Sequence, residues 1–399
     1  MKKNTNCMQT IYACFIGYIV QAIVNNFVPL LFVTFQNNYH ISLERITFLI
    51  TLNFIIQLFV DLLSAFFIDR IGYRISILIA HILSAAGLIL LTVLPEVFSS
   101  PYTGLVIAVI IYAIGGGLLE VLVSPIIEAC PTDNKEKAMS LLHSFYCWGA
   151  VGTILVSTVF FLLFGIGNWK WLAVIFALIP AINIINFATC PIESLVEEGQ
   201  GMGSRKLFSN PMFLIAIVMM VCSGASELAM AQWASAYAES ALGFSKAVGD
   251  IAGPCMFAVT MGISRVLFGK AGDKMKLNRF MIGSGILCFV CYLLASFSEN
   301  PIIGLAGCIV CGFSVGIMWP GTISISSKAF PTGGTAMFAL LAMAGDLGGS
   351  IGPAIVGRGA DMFGGSIHVG MRIGLLFPIT LCFMLFLFNI MNHNANKQK

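Results

Sequence analysis

The chain has 399 residues, of which 58% are hydrophobic and only 10% are charged, and its formal net charge is +3. This composition leaves no room for an inserted water-soluble domain. The small positive charge is no indication of nucleic-acid binding.

Twelve apolar stretches follow one another along the chain, each long enough to cross a hydrocarbon core about 30 Å thick. Six lie in the first half, at 9–36, 46–68, 75–94, 105–130, 138–164 and 171–189. Six lie in the second half, at 213–237, 248–268, 280–297, 302–326, 335–356 and 373–390. We therefore predict an all-α membrane protein of twelve transmembrane helices. One six-helix bundle is expected in 1–190, a cytoplasmic linker in 191–210 and a second bundle in 211–399.

Lysine and arginine are distributed unevenly between the loops on the two sides of the predicted spans. If the N-terminus is cytoplasmic, fifteen of these residues lie on that side and five on the other. Because basic residues in short loops are retained in the cytoplasm, we predict a multi-pass protein of the cell (plasma) membrane with both termini cytoplasmic. The first apolar run is too long for the core of a signal peptide, so we expect it to remain as the first helix.

The two halves of the chain carry related motifs. The loop after the second span reads DRIGYR at 69–74, and the loop after the eighth reads GKAGDK at 269–274. In each half an ionisable residue within the span, Asp61 or Arg265, precedes the aspartate of the loop by eight residues. A Pro-Thr pair also recurs before the fifth and the eleventh spans, at 131–132 and 331–332. Such a duplication is typical of a carrier whose halves rock against each other, although a pump, channel or scaffold can also be built this way.

The stretch AFFIDRIGYR at 65–74 resembles the signature loop of the major facilitator superfamily, with Ala65 where the pattern usually has glycine. The degenerate copy at 269–274 stands where that superfamily has its second copy. The resemblance implies the major facilitator fold, with two pseudo-symmetric six-helix bundles and alternating access. It also implies a gate, in which aspartate and arginine residues pair across the cytoplasmic ends of helices when the carrier faces outward. The residues to which this gating role is carried over are Asp61, Asp69, Arg70, Arg74, Arg265 and Asp273.

Two of the carboxylates within the predicted spans are candidates for coupling transport to a proton. Glu120 shares one helix face with Gly116 and Ser124, which are each four residues away. Desolvation penalises the charged form of a carboxyl group, so Glu120 can load and release a proton, or it can remain protonated and only tie helices together. Asp346 lies in the glycine-rich stretch 345–353 and is a second candidate for protonation, or a partner of Arg265 or of neighbouring helices.

Several segments resemble the fucose permease group of sugar:proton symporters. They are GLLEVLVSP at 117–125, VNNF at 24–27, HSFY at 143–146 and GIMWP at 316–320, together with the spacing of Glu227, Trp233 and Tyr237. The aspartate that follows the paired asparagines in fucose permease is replaced here by Phe27. Amides can form the paired hydrogen bonds that hydroxyl-rich solutes need, and an indole can lie flat on a sugar ring. The predicted substrate-binding residues are Gln21, Asn25, Asn26, His143, Tyr146, Glu227, Gln232, Trp233 and Trp319.

The sequence thus predicts a secondary active transporter that imports a sugar or sugar-like polar solute with protons, as a monomer in the lipid bilayer and without a bound cofactor. Sodium remains an alternative coupling ion. An efflux carrier for drugs or metabolites is the alternative function, favoured by many phenylalanines and nineteen methionines. No HExxH or P-loop motif indicates an enzyme. The two CxxC pairs at 288–291 and 308–311 lie in apolar spans, where we expect small hydrophobes rather than metal ligands.

Overall fold

The computed structural model of the protein describes residues 7–193, 195, 201–242, 251–272, 274–298, 300–363 and 367–397. Every regular element in this part of the chain is helical. Twelve of these helices are long and apolar enough to cross a membrane. The predicted all-α fold with twelve transmembrane helices is confirmed.

The membrane helices are numbered α1 to α12 in chain order. In the first half they are α1 (Met8–Asn26, continued by Val28–Leu31 and Phe32–Tyr39), α2 (Leu43–Ile71), α3 (Tyr73–Val97), α4 (Pro101–Ala129), α5 (Lys135–Phe164) and α6 (Trp169–Thr189). In the second half they are α7 (Pro211–Leu242), α8 (Ile251–Cys255 and Met256–Ala271), α9 (Leu277–Phe297), α10 (Pro301–Val315 and Met318–Ala329), α11 (Gly334–Met362) and α12 (Ile367–Gly374 and Leu376–Lys397).

The predicted spans that are interrupted where the sequence analysis expects continuous stretches include those of α1 and α10. In α1 the regular helix ends at Asn26 and a 3₁₀ turn, Val28–Leu31, follows. In α10 the helix stops at Val315 and resumes at Met318. A proline lies in the segment that follows each interruption, Pro29 in the 3₁₀ turn of α1 and Pro320 in the second helical segment of α10. Because proline has no N–H, it removes one hydrogen bond of the helix and destabilises its regular geometry.

The described residues fall into two compact units. Unit 1 comprises Met1–Asp133, Phe145–Gly201 and Gly334–Ala339, and unit 2 comprises Asn134–Ser144, Met202–Gly333 and Leu340–Lys399. Thus the first turns of α5 belong to unit 2, and the first turns of α11 belong to unit 1.

Unit 1 is held together by aromatic packing near the interruption of α1 and by a close approach of α3 and α4. The ring centroids of Phe27 and Phe176 are 5.2 Å apart, and those of Phe35 and Trp169 are 5.4 Å apart, both in edge-to-face geometry. A Cβ at Gly87 would lie 2.9 Å from the Cα of Tyr112, so α3 and α4 touch through their backbones. These contacts position α1 and α4, which carry the candidate proton site.

Unit 2 contains an equally close crossing of α7 and α11. A Cβ on Gly224 would lie 2.9 Å from the carbonyl carbon of Gly345, and a Cβ on Gly348 would lie 2.9 Å from the Cα of Val221. Small residues allow membrane helices to approach in this way, which fits the glycine-rich stretch noted in the sequence.

The cysteines of the two CxxC pairs are buried in α9 and α10. The sulfur atoms of Cys288 and Cys311 are 3.8 Å apart. Among the residues that the structure describes, no group of three or more His, Cys, Asp or Glu side chains is arranged to hold a metal ion.

Candidate functional site

The polar face of α4 meets the polar face of α1 inside unit 1. The Nε2 of Gln21 donates to the Oε2 of Glu120 at 2.5 Å, and the hydroxyl groups of Tyr18 and Ser124 are 3.0 Å apart one turn away. Gln21, Tyr18 and Ser124 are buried, and Glu120 is partly buried. The structure therefore brings two sequence-predicted residues, Gln21 and Glu120, into direct contact.

Asn25 lies at the centre of a cluster of amide side chains in unit 1. Its Oδ1 accepts hydrogen bonds from the Nδ2 of Asn53 at 3.0 Å and from the Nε2 of Gln57 at 2.7 Å, both on α2. Its Nδ2 donates to the phenolic oxygen of Tyr146 on α5 at 3.3 Å. Asn25 thus links three helices, whereas Asn26 donates to the carbonyl oxygen of Ala22 in its own helix at 2.8 Å.

The sequence analysis missed Asn53 and Gln57. Both are buried, and within the described part of the chain neither the Oδ1 of Asn53 nor the Oε1 of Gln57 has a hydrogen-bond partner. A signal was present, because Asn53, Gln57 and Asp61 follow one another at intervals of four and therefore share one face of α2. Two buried acceptor oxygens beside Asn25 are a suitable place for a donor such as a hydroxyl group.

Arg265 is the centre of a second polar cluster, in unit 2. Its side chain is 3% exposed. The guanidinium group donates from Nε to the carbonyl oxygen of Gly316 at 2.9 Å and from Nη1 to that of His143 at 3.0 Å. Its Nη2 lies 3.4 Å from the Oε2 of Glu227. The structure therefore groups Arg265, which the sequence analysis assigned to the gate, with Glu227, which it assigned to the solute site.

The remaining predicted solute residues of unit 2 lie on α5, α7 and α10. Trp319 is partly buried and packs on α11, since a Cβ at Gly345 would lie 2.8 Å from the Cζ2 of the indole. Asp346, the next residue of α11, is partly buried. The side chain of His143 is buried and Gln232 is exposed. The side chain of Trp233 lies outside the described residues.

The motif at 69–74 contacts the beginning of α11 within unit 1. The hydroxyl group of Thr335 donates to the Oδ1 of Asp69 at 2.5 Å, and the phenolic oxygen of Tyr73 is 2.5 Å from the same hydroxyl oxygen. Asp69 and Arg70 are exposed, whereas Asp61 is completely buried within α2. The resemblance implied aspartate–arginine pairs at the cytoplasmic ends of helices, whereas Asp69 accepts a hydrogen bond from the hydroxyl group of Thr335.

Arg74 binds the C-terminal end of α6. Its guanidinium group donates to the carbonyl oxygens of Phe187 at 2.7 Å, Ala188 at 2.8 Å and Cys190 at 2.8 Å. These carbonyl groups lack helical partners, so a cation there stabilises the helix end.

The beginning of α5 makes corresponding contacts within unit 2. The Nζ of Lys328 is 2.5 Å from the Oε1 of Glu136, and the hydroxyl group of Ser140 donates to the carbonyl oxygen of Arg265 at 2.8 Å. Asp273, the predicted gating residue of the second motif copy, lies outside the described residues.

Thr335→Val is expected to lower the free energy of unfolding by about 1–3 kcal/mol, because valine keeps the shape of threonine but leaves Asp69 and Tyr73 without their shared partner. Thermal unfolding in detergent measures the change. Thr158→Val is the matched control, since the exposed Thr158 hydroxyl donates to the carbonyl oxygen of Ile154 in its own helix. An equal change in the two variants would show that the contact with Asp69 and Tyr73 contributes no stability.

Comparisons with known proteins agree with this architecture. The sequence matches the model of the Major Facilitator Superfamily over residues 14–353. A search among curated proteins finds no significant match. The solved structures that are similar include a variant of the E. coli fucose:proton symporter FucP, at 15% identity and a TM-score of 0.82, covering 96% of this chain and 98% of that one.

Two further structures are similar over most of their length. The proton:xylose symporter XylE bound to 6-bromo-6-deoxy-D-glucose is 14% identical, with a TM-score of 0.78 and coverage of 95% and 94%. The human organic anion transporter MFSD10 is 13% identical, with a TM-score of 0.75 and coverage of 96% and 100%. At sequence identities this low, the similarity to these structures shows the fold alone. Because the family model covers most of the sequence, the chain belongs to the major facilitator superfamily and is a multi-pass membrane transporter.

Proposed function

We propose that the protein is a proton-coupled symporter that imports a sugar or a sugar-like polar solute by alternating access. The observation that carries the proposal is the hydrogen bond of 2.5 Å between Gln21 and Glu120, within apolar helices α1 and α4. An ionisable residue in a membrane helix is costly, so its presence favours a function in the transport of ions or solutes. In this proposal Glu120 carries the coupled proton and Asp346 is a second protonation site.

The chemistry of the solute is inferred from the side chains that line the polar clusters. In unit 1, Asn25, Asn53 and Gln57 present several amide donors and acceptors but no charge. In unit 2, Trp319 offers an indole and Glu227 a carboxylate. Neutral amides are typical of sites for hydroxyl-rich solutes, and an indole can lie flat on a sugar ring. FucP and XylE, which are similar in fold, are proton symporters for fucose and xylose.

In this proposal the gate is formed by the ends of helices, with Asp69 in the last turn of α2 and Lys328 in the last turn of α10. In the proposed cycle Thr335 leaves Asp69 and Tyr73 within unit 1, and Lys328 leaves Glu136 within unit 2. These contacts are a hydroxyl cluster and one partly exposed ion pair, each of modest strength, so they can form and break during a cycle.

Uptake into proteoliposomes tests the proposal. The purified protein is reconstituted, a pH gradient is imposed, and the accumulation of radiolabelled fucose, xylose and glucose is measured with and without a protonophore. We expect at least one sugar to accumulate above its external concentration and to lose this accumulation with the protonophore. Accumulation driven only by a sodium gradient would contradict proton coupling. Transport only of an organic anion or a lipophilic cation, included as additional probes, would favour the efflux alternative.

A further inference from the structure

The interruption of α10 leaves the carbonyl group of Gly316 without its helical partner. In a continuous helix the N–H of residue 320 would donate to the carbonyl oxygen of Gly316, but residue 320 is proline and has no N–H. The next peptide group is regular again, because the N–H of Gly321 donates to the carbonyl oxygen of Ile317 at 2.8 Å. Gly316 is therefore a position at which this helix requires a donor from elsewhere.

Arg265 on α8 supplies that donor. Its Nε lies 2.9 Å from the carbonyl oxygen of Gly316. The two helices are in close contact at this point, since a Cβ at Gly316 would lie 2.8 Å from the Cβ of Ser264. The guanidinium group has a fixed planar set of donors, so its other nitrogens determine where Nε points. Those nitrogens contact the carbonyl oxygen of His143 and the carboxylate of Glu227.

The segment that follows the interruption carries Trp319. This residue is three positions beyond Gly316, and its indole packs on Gly345 of α11. Any change of direction at Gly316 and Ile317 therefore moves the indole relative to α11. Arg265 has no need to contact a solute in order to affect the position of Trp319.

We propose that Arg265 is a positioning residue, which replaces the peptide donor lost at Pro320, holds the interruption of α10 and thereby fixes the backbone that carries Trp319. The consequence for solute affinity rests on the proposed function, in which Trp319 contacts the solute. The structural part of the proposal concerns only unit 2 and is independent of the identity of the solute.

Hydrogen–deuterium exchange of the segment 317–324 tests this role in the absence of any solute. The substitution Arg265→Gln is compared with its parent in a Glu227→Gln background, so that no buried carboxylate is left without its cation. Loss of the bond to Gly316 is expected to make the amides of 317–324 exchange about tenfold faster. Adding Pro320→Ala restores a peptide N–H opposite Gly316, so the effect of Arg265→Gln is then expected to fall to about twofold or less.

Arg372→Gln is the matched control. Arg372 also donates from Nε to a helix carbonyl, that of Ser296 at 3.3 Å, and lies over the ring of Phe297, but it is not in contact with Gly316. Exchange in 317–324 should be unchanged in this variant. If the protein that carries both Arg265→Gln and Glu227→Gln does not fold, Arg265→Lys in the otherwise unchanged protein is used instead. Lysine keeps the positive charge beside Glu227 but has no Nε to donate to Gly316, so the same acceleration of exchange is expected.

The proposal is overturned if exchange in 317–324 is the same with and without Arg265, or if Pro320→Ala leaves the effect of Arg265→Gln undiminished. Because no solute is present, a failure of the proposed sugar transport would not change this result. Conversely, a negative exchange result would leave proton-driven uptake by the unsubstituted protein unaffected.

Discussion

Glu120→Gln is expected to abolish the proton-driven accumulation of solute while leaving its exchange across the membrane intact. Glutamine has nearly the shape of glutamate and can still accept the hydrogen bond from Gln21, but it cannot bind and release a proton. A gradient of about one pH unit is worth ~1.4 kcal/mol per proton and supports about tenfold accumulation. In the variant, accumulation should fall to the equilibrium level, whereas counterflow of labelled against unlabelled solute should continue. Both are measured in proteoliposomes.

The controls separate the loss of a proton site from the loss of a contact. Gln21→Leu removes the donor to Glu120 but keeps the carboxyl group, so coupled accumulation should persist, although less efficiently. Glu96→Gln changes an exposed carboxylate that pairs with Lys170 at 2.6 Å, and it should transport as the unsubstituted protein does. If Glu120→Gln accumulates solute to the same level as the unsubstituted protein, Glu120 only ties α1 to α4, and the coupling site must be sought elsewhere.

The positions of the membrane spans could be predicted because each span is a long apolar stretch and must satisfy its own backbone hydrogen bonds. The interruptions could not be predicted from hydropathy, since Pro29 and Pro320 lie within stretches that remain apolar on both sides. Whether a proline bends a membrane helix or ends a segment of it depends on what replaces the missing donor. At Gly316 that replacement comes from Arg265, which is 51 residues away in the sequence.

The candidate site was only partly predictable for a related reason. Intervals of four residues identify one face of a helix, as they did for Glu120 and Ser124, but they do not identify the helix that lies opposite. The contact between Glu120 and Gln21 joins residues 99 positions apart, and that between Asn25 and Gln57 joins residues 32 positions apart. These pairs depend on how each helix is rotated about its axis, which is determined by packing against several neighbours.

Arg265 also shows that residue spacing does not identify the partners of a side chain on other helices. Its spacing from the second loop motif resembles that of Asp61 from the first, and the resemblance of these motifs to the family's signature loop implied a gating role for both. The structure shows a buried guanidinium group that contacts α5, α7 and α10. Repetition of a motif thus indicates an equivalent position in the chain, but the partners at that position differ because the surrounding side chains differ.

Gly348→Val is expected to prevent α7 and α11 from packing as they do, and to lower the free energy of unfolding by more than about 3 kcal/mol. A Cβ at this position would lie 2.9 Å from the Cα of Val221 and even closer to its carbonyl group, so backbone would have to move. Gly345, on which Trp319 packs, is three residues away and would move with it. The yield of monodisperse protein and the midpoint of thermal unfolding in detergent measure the effect.

Gly283→Val is the matched control for this substitution. Gly283 also lies inside a membrane helix, α9, but a Cβ there would have no neighbouring atom within 4 Å. Both substitutions replace glycine by the same residue in a helix interior, so the change in helix propensity is common to the two. Their difference therefore isolates the cost of separating α7 from α11. Equal stability of the two variants would mean that the crossing can widen at little cost, and that the glycines of α11 are not required for close packing.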